Sequence, residues 1–442
     1  MTAPVIRAGL IGGIGCLALL APVLEWGTAL LFGAIAIICL AIPPHTRLFE
    51  LLARPGDRDA GRLYGVGGFS LSVTALAILG TIEAFSLSMA VFIQTVLIVS
   101  FGNFGETAIR SRGAQPPLGA ISFVILGTIG SIAGWGVLSM SSPTGMEYDM
   151  GLVIFFASLG GLIGALCRTD FYRRDDPVVL LTIGLILWFL AAIMTEPTPE
   201  FVFAAFVVTG ALGGLAYIAE TASVAGMLSG TIVGYVTVVL AGFHWFILLL
   251  TFFGVGGLAT KYRYNEKLSR GVAERHRGAR GTGNVLGNSL VAVIAVVGYV
   301  MAPTISGLNE TILAVAFGGA VATALADTMS SEIGSLQDNP ILITTFDRVQ
   351  AGTDGAVTVF GSGAGVVGSA IVAMSALAII PEISAIEATI LFLAGVVGMF
   401  ADSFYGATLE DRLLGNQGVN LLATASGAVF AVIFLFIVNV MS

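Results

Sequence analysis

The sequence predicts an all-α polytopic integral membrane protein of about 15 transmembrane helices, built as two related halves that run in the same orientation. Three observations predict it. The 442 residues are 56% hydrophobic and only 10% charged, against roughly 25% charged in soluble domains. Apolar runs near the length needed to cross about 30 Å of hydrocarbon recur from end to end. All 19 cations fall on one side once the runs are counted as spans. So few polar groups cannot cover a soluble fold of this length. A secreted enzyme, a nucleic-acid-binding protein and a disulfide scaffold are therefore excluded.

The spans are expected near 5–24, 26–43, 66–84, 86–104, 117–138, 150–168, 177–194, 200–219, 226–242, 244–260, 284–302, 310–328, 355–380, 385–404 and 419–439. The first follows Arg7 and reads as a span rather than a cleaved signal, because many more follow. Arg47 to Arg62 follow the second span, Arg110 and Arg112 the fourth, and Arg168, Arg173 and Arg174 the sixth. Lys261 to Arg280 follow the tenth, Arg348 the twelfth and Arg412 the fourteenth. The opposite loops carry only acids, among them Glu147, Glu196, Glu310 and Glu382. The positive-inside rule makes the cation side cytoplasmic, with the N-terminus inside, the C-terminus outside and the cell membrane as location. Cys16, Cys39 and Cys167 are isolated in apolar runs and read as packing residues. His45, His244 and His276 have no ligand spacing, which argues against a zinc site. The net charge of −8, with Arg outnumbering Lys 17 to 2, fits a salt-rich, archaeal-like setting.

Three acids stand out from those in loops. Asp327 ends an apolar helix in AVATALADTMSSEIG, Asp354 opens the next span in AGTDGAVTVFGSGAG, and Asp402 ends a third in GVVGMFADSFYGA. The topology puts all three at one depth, among small residues that leave room for a ligand. One reading makes them helix caps, which suits Asp354. Asp327 and Asp402 at helix C-termini would instead oppose the dipole unless a cation compensates. Hard oxygen ligands without His or Cys suit Mg²⁺, shared with substrate phosphates. Glu332, five residues past Asp327, reads as a further ligand or a general base.

The basic loop KYRYNEKLSRGVAERHRGARGTGNVLGNS complements these acids. It fits ordinary positive-inside charge against anionic headgroups. It also fits phosphate binding, because Arg277, Arg280 and Gly281 lead directly into a helix N-terminus. Asn284 and Asn288 share one face of that helix and need polar partners.

Together, K-Y-x-Y-N-E-K, R-G-A-R-G-x-x-N-V-x-x-N, A-D-T-M-S-S-E-I-G, I-T-T-F-D-R-V-Q-A-G-T-D-G-A-V-T and A-D-S-F-Y-G-A resemble the membrane family that includes chloroplast phytyl-phosphate kinase. The resemblance covers about residues 200–442. It implies CTP-dependent phosphorylation of a prenyl monophosphate to the diphosphate. It also implies Asp327, Glu332, Asp354 and Asp402 as the acidic catalytic positions, with Mg²⁺ on Asp327, Asp354 and Asp402. Lys261, Arg277, Arg280, Gly281, Asn284, Asn288, Gly352, Thr353 and Gly355 are then the candidates for nucleotide and phosphate. The first half, residues 1–199, looks like a phytol or dolichol kinase in LIVSFGNFGETAIR, QPPLGAISFVILG, GLIGALCR and RRDDPVVLL. Asn103 stands where that family has an Asp, so this half reads as a degenerate copy. Spans four to seven echo spans twelve to fifteen, with Asn103 matching Asp327. The other reading is a second kinase using Glu106, Asp170, Asp175 and Asp176. Two alternatives to the kinase remain: a cytidylyltransferase forming a CDP-lipid, and a secondary transporter, which also has broken Gly-rich helices and intramembrane acids.

Overall fold

The computed structural model describes residues 3–141, 149–171, 176–194, 196–273, 279–410 and 412–441. Fifteen apolar helices account for the fifteen expected spans among the described residues. They are α1 Pro4–Leu24, α2 Gly27–Ala41, α3 Tyr64–Thr81, α4 Met89–Arg110, α5 Pro116–Met140, α6 Met150–Phe171, α7 Asp176–Ile193 and α8 Pro199–Ile218. The series continues with α9 Val224–Ala241, α10 Phe243–Lys261, α11 Thr282–Thr304, α12 Glu310–Gly334, α13 Val359–Ile379, α14 Ala385–Leu409 and α15 Asn416–Met441. All but α2 are long and apolar enough to cross a membrane. Only the pair β1 Ile341–Leu342 and β2 Ala356–Val357 forms a named sheet among the described residues.

The chain divides into two compact units, Met1–Val208 and Thr209–Ser442. The division falls inside α8, not in the loop before it, where the sequence places a boundary at 199/200. Each unit is organised around a mostly buried helix. In the first, α4 packs on α5, α6 and α7; in the second, α12 packs on α13, α14 and α15. The order of packing thus repeats, as the sequence echo predicts.

Helices in lipid gain little from hydrophobic burial against one another, so close van der Waals packing between small residues holds them. Gly365 on α13 lies against the Ala326 carbonyl of α12: a Cβ there would sit 2.8 Å from that oxygen. Gly398 on α14 faces Thr323 of α12 as closely, with a Cβ 2.1 Å from its hydroxyl. Away from these contacts Trp245 fills the core, its ring 4.6 Å from Phe317 and 4.8 Å from Tyr299.

Helix starts follow capping chemistry. Asn309 caps α12 by accepting from the Ile312 amide at 2.8 Å, and Thr358 caps α13 by accepting from Gly361 at 3.0 Å. Ser384 and Glu387 form a capping box at α14. Helix ends depart further from expectation. Both α12 and α14 continue seven residues past Asp327 and Asp402, about 10 Å of helix. Neither carboxylate is therefore a C-terminal residue, and dipole opposition does not apply to them. Asp354 is not a cap either; it lies in the folded connection before α13, where Thr358 does the capping.

Candidate functional site

The second unit brings two of the three acids together. Asp327 projects from α12 and Asp402 from α14, and their carboxyl groups lie within hydrogen-bonding reach of one another. Small residues make this approach possible, since Gly398, one turn before Asp402, lets α14 close on α12. Oδ1 of Asp402 is buried and meets no hydrogen-bond partner among the described residues. Glu332 and Glu410 add negative charge around Asp327. Both side chains are half-buried, and two carboxylates in contact at such a site favour a proton or a cation between them. The orphaned oxygen and the two carboxyl groups in contact fit a divalent cation of the Mg²⁺ type, which commonly takes only one or two carboxylates and completes its shell with water and phosphate.

The third acid does not join them. Among the described residues, no three His, Cys, Asp or Glu side chains group closely enough to hold a metal. The expected three-carboxylate centre of Asp327, Asp354 and Asp402 is thus corrected to a pair. Asp354 is exposed on the connection between α12 and α13. Its neighbour Gly355, at φ +75°, presses on α14 one turn beyond Asp402: a Cβ would lie 2.5 Å from both the Ala407 amide and the Ser403 carbonyl. The β1–β2 pairing of Ile341 with Val357 and Leu342 with Ala356 ties the same connection into a folded flap. Asp354 is therefore anchored near the pair by backbone packing, outside the contact itself. Gly352, at φ +85°, and Thr353, whose hydroxyl donates to the Gln350 carbonyl at 2.8 Å, form an exposed turn of this flap.

Glu332 is engaged. Lys267 is fully buried and donates to Glu332 Oε2 at 2.5 Å and to the carbonyls of Ala259 and Thr260 at 2.9 and 3.1 Å. The ammonium therefore caps the C-terminal end of α10, where the dipole favours a cation, and clamps α12 to it. A carboxylate held this way is a brace, and it is poorly placed as a general base. Sequence reasoning passed over Lys267 because it reads as one cation of a basic run; only its burial sets it apart.

Arg280 faces the pair's helix. Its guanidinium lies over Phe252 at 4.9 Å and Phe253 at 5.8 Å. Nη2 crowds Gly256, and Thr328, the residue after Asp327, touches the same glycine. The backbone of Arg280 is fixed by pairing with Ala222 and by bonds with Thr221 and Ser223. Gly281 precedes α11 as its N-cap residue. Asn288 is buried and donates to the Asn284 carbonyl at 2.9 Å, so the two share one face as expected. Lys261 donates to the Glu220 carbonyl at 3.0 Å, which ties it to the turn before α9. Arg277 lies outside the described residues.

The first unit carries a different cluster at its matching helices. Arg168 donates to Glu106 at 2.7 Å and to Asn103 at 3.1 Å and pairs with Asp176. Arg110 holds the other oxygen of Glu106 at 2.8 Å, and Arg54 that of Asp176. Glu106 and Asp176, candidates for a second kinase centre, are thus saturated by cations. Asp170 is exposed, and Asp175 lies outside the described residues.

The fold defines the class: an integral, multi-pass, nearly all-helical membrane protein. Within it, the chain belongs to the family described as integral membrane protein DUF92, which it matches over residues 207–428. It is 33% identical over 210 residues to an uncharacterized membrane protein of Methanocaldococcus jannaschii, across 47% of this chain and 83% of that one. It is 30% identical over 217 residues to the chloroplast protein VTE6 of Arabidopsis thaliana, across 48% and 64%. An uncharacterized membrane protein of Synechocystis is 33% identical over 196 residues, across 43% and 74%. No solved structure matches the chain. The family resemblance read from the motifs is borne out, and the matched segment coincides with the second unit.

Proposed function

We propose that this protein is a CTP-dependent kinase that converts an isoprenoid monophosphate, such as a phytyl or geranylgeranyl phosphate, to the diphosphate at the cytoplasmic membrane face. The observation that carries the reading is the Asp327–Asp402 carboxyl pair set between helices, with Arg280 packed against the same glycine as Thr328, the residue after Asp327. The prenyl-phosphate substrate draws its support from the motif resemblance to the phytyl-phosphate kinase family and from the 30% identity to chloroplast VTE6.

Arg280 holds nucleotide phosphates from its rigid seat beside Phe252, with Arg277 of the same loop as a second cation. Asp327 and Asp402 would hold Mg²⁺, which would supply positive charge against the negative charge that develops on phosphoryl transfer. A lipid phosphate oxygen attacks the γ-phosphorus of CTP, the β,γ-bridging bond breaks, and CDP leaves with that electron pair. A phosphate nucleophile is already anionic, so no strong base is needed; this agrees with Glu332 being held by Lys267. The prenyl tail lies among the helices, where apolar side chains accept it.

The test is purified protein in detergent with CTP, Mg²⁺ and a series of prenyl phosphates, with products identified by mass. Release of CDP and a prenyl diphosphate is the expected result. Pyrophosphate with a CDP-lipid would make the protein a cytidylyltransferase. Neither product would favour transport, a reading that draws support from the two carboxylates standing inside their helices and not at the ends.

A further inference from the structure

The two units can be set in register at their buried helices. Leu159-Gly-Gly-Leu-Ile-Gly-Ala-Leu-Cys-Arg168 on α6 follows the pattern of Leu393-Ala-Gly-Val-Val-Gly-Met-Phe-Ala-Asp402 on α14. Packing supports the same register. Gly161, seven residues before Arg168, lies against the Thr128 hydroxyl, and Gly395, seven before Asp402, lies against the Ser369 hydroxyl. Gly127 rests on the Cα of Gly102, just before Asn103; Gly368 rests on the Cα of Ala326, just before Asp327. Asn103 and Arg168 therefore occupy in the first unit the places of Asp327 and Asp402 in the second. Where the second unit has two carboxylates in contact, the first has an amide accepting from a guanidinium at 3.1 Å.

We propose that Arg168 is a built-in cation: its guanidinium stands in the first unit where the second holds an exchangeable one, so the first unit is a closed site that takes neither metal nor nucleotide. What the second unit holds rests on the kinase reading; the role of Arg168 does not. All three guanidinium nitrogens are used, on Glu106, Asp176 and Asn103. Those oxygens come from α4 and α7, while Arg168 comes from the end of α6, where a π-helical turn spans Cys167–Phe171. Such turns re-aim single side chains at functional positions. The guanidinium thus ties three helices as a metal ion would, with the charge covalently attached and unable to leave.

Thermal unfolding in detergent tests this in an Asp327→Asn/Asp402→Asn parent, which removes the carboxylates of the second unit as a source of metal response. Arg168→Ala should lower Tm by about 10 °C, as for a broken buried ion pair. Added methylguanidinium or Mn²⁺ should recover much of that loss, while the parent shows no response to either. If Arg168→Ala does not fold, Arg168→Lys, which keeps the attached charge, should still fold near the parent Tm. A parent that is stabilised by Mn²⁺, an Arg168→Ala variant with parental Tm, a loss that no cation recovers, or an Arg168→Lys variant that unfolds like Arg168→Ala would each overturn the proposal. Failure of the kinase reading would show separately, as absence of CDP release from the wild-type protein.

Discussion

Asp327 and Asp402 are matched by position as well as by contact, each seven residues from the end of its helix. Asp327→Asn and Asp402→Asn should each lower CDP release by about 10²–10³-fold, the loss typical when one preorganised electrostatic partner is removed. Asp354→Asn should cost far less, because its side chain stands outside the pair; equal losses in all three would restore the three-carboxylate centre. Chelation with EDTA should abolish turnover and Mg²⁺ should restore it, whereas turnover that persists in EDTA would leave the pair without a metal role. Lys267→Met leaves Glu332 charged and partnerless, and should destabilise the protein by about 3–5 kcal/mol in unfolding experiments. Adding Glu332→Leu to Lys267→Met should recover most of that loss. The acids were legible from composition alone, since carboxylates in apolar runs are rare. The burial of Lys267 was not, because an ammonium in a basic run looks the same in sequence whether it is solvated or enclosed.

Close approach between α12, α13 and α14 sets the site at the level of elements. Gly398 has no spare volume: a Cβ would lie 2.1 Å from the Thr323 hydroxyl and 2.4 Å from its methyl. Gly398→Val should cost about 1–3 kcal/mol of overpacking and should lower turnover with it, since it pushes α14 from α12 one turn before Asp402. A variant with wild-type rate and stability would show that the approach is not needed. Helix identities were readable from apolar runs, and all fifteen expected spans have counterparts. Their ends were less so. Ser, Thr and Glu after Asp327, and Ser, Tyr and Thr after Asp402, look like the exit from a membrane, yet both helices continue through them. Polarity marks where lipid ends, whereas backbone hydrogen bonding and packing against Gly361 and Gly355 decide where the helix ends.

The whole chain can be checked for sidedness by single cysteines in a background lacking the native three. Leu413→Cys, at the exposed turn after α14, should be labelled by a membrane-impermeant thiol reagent only from the cytoplasmic side. Ile305→Cys, after α11, should be labelled only from outside; labelling of both from one side would break the span count. Membrane insertion, the number of helices, the repeat and the family were determined by the sequence alone, because each depends on residue type and spacing along one dimension. The tertiary structure alone decided that Asp327 meets Asp402 without Asp354, that Glu332 is spent on Lys267, and that Arg168 fills the matching place in the first unit. Which charges touch depends on helix rotation and on how closely glycines let backbones approach, and neither follows from distance along the chain.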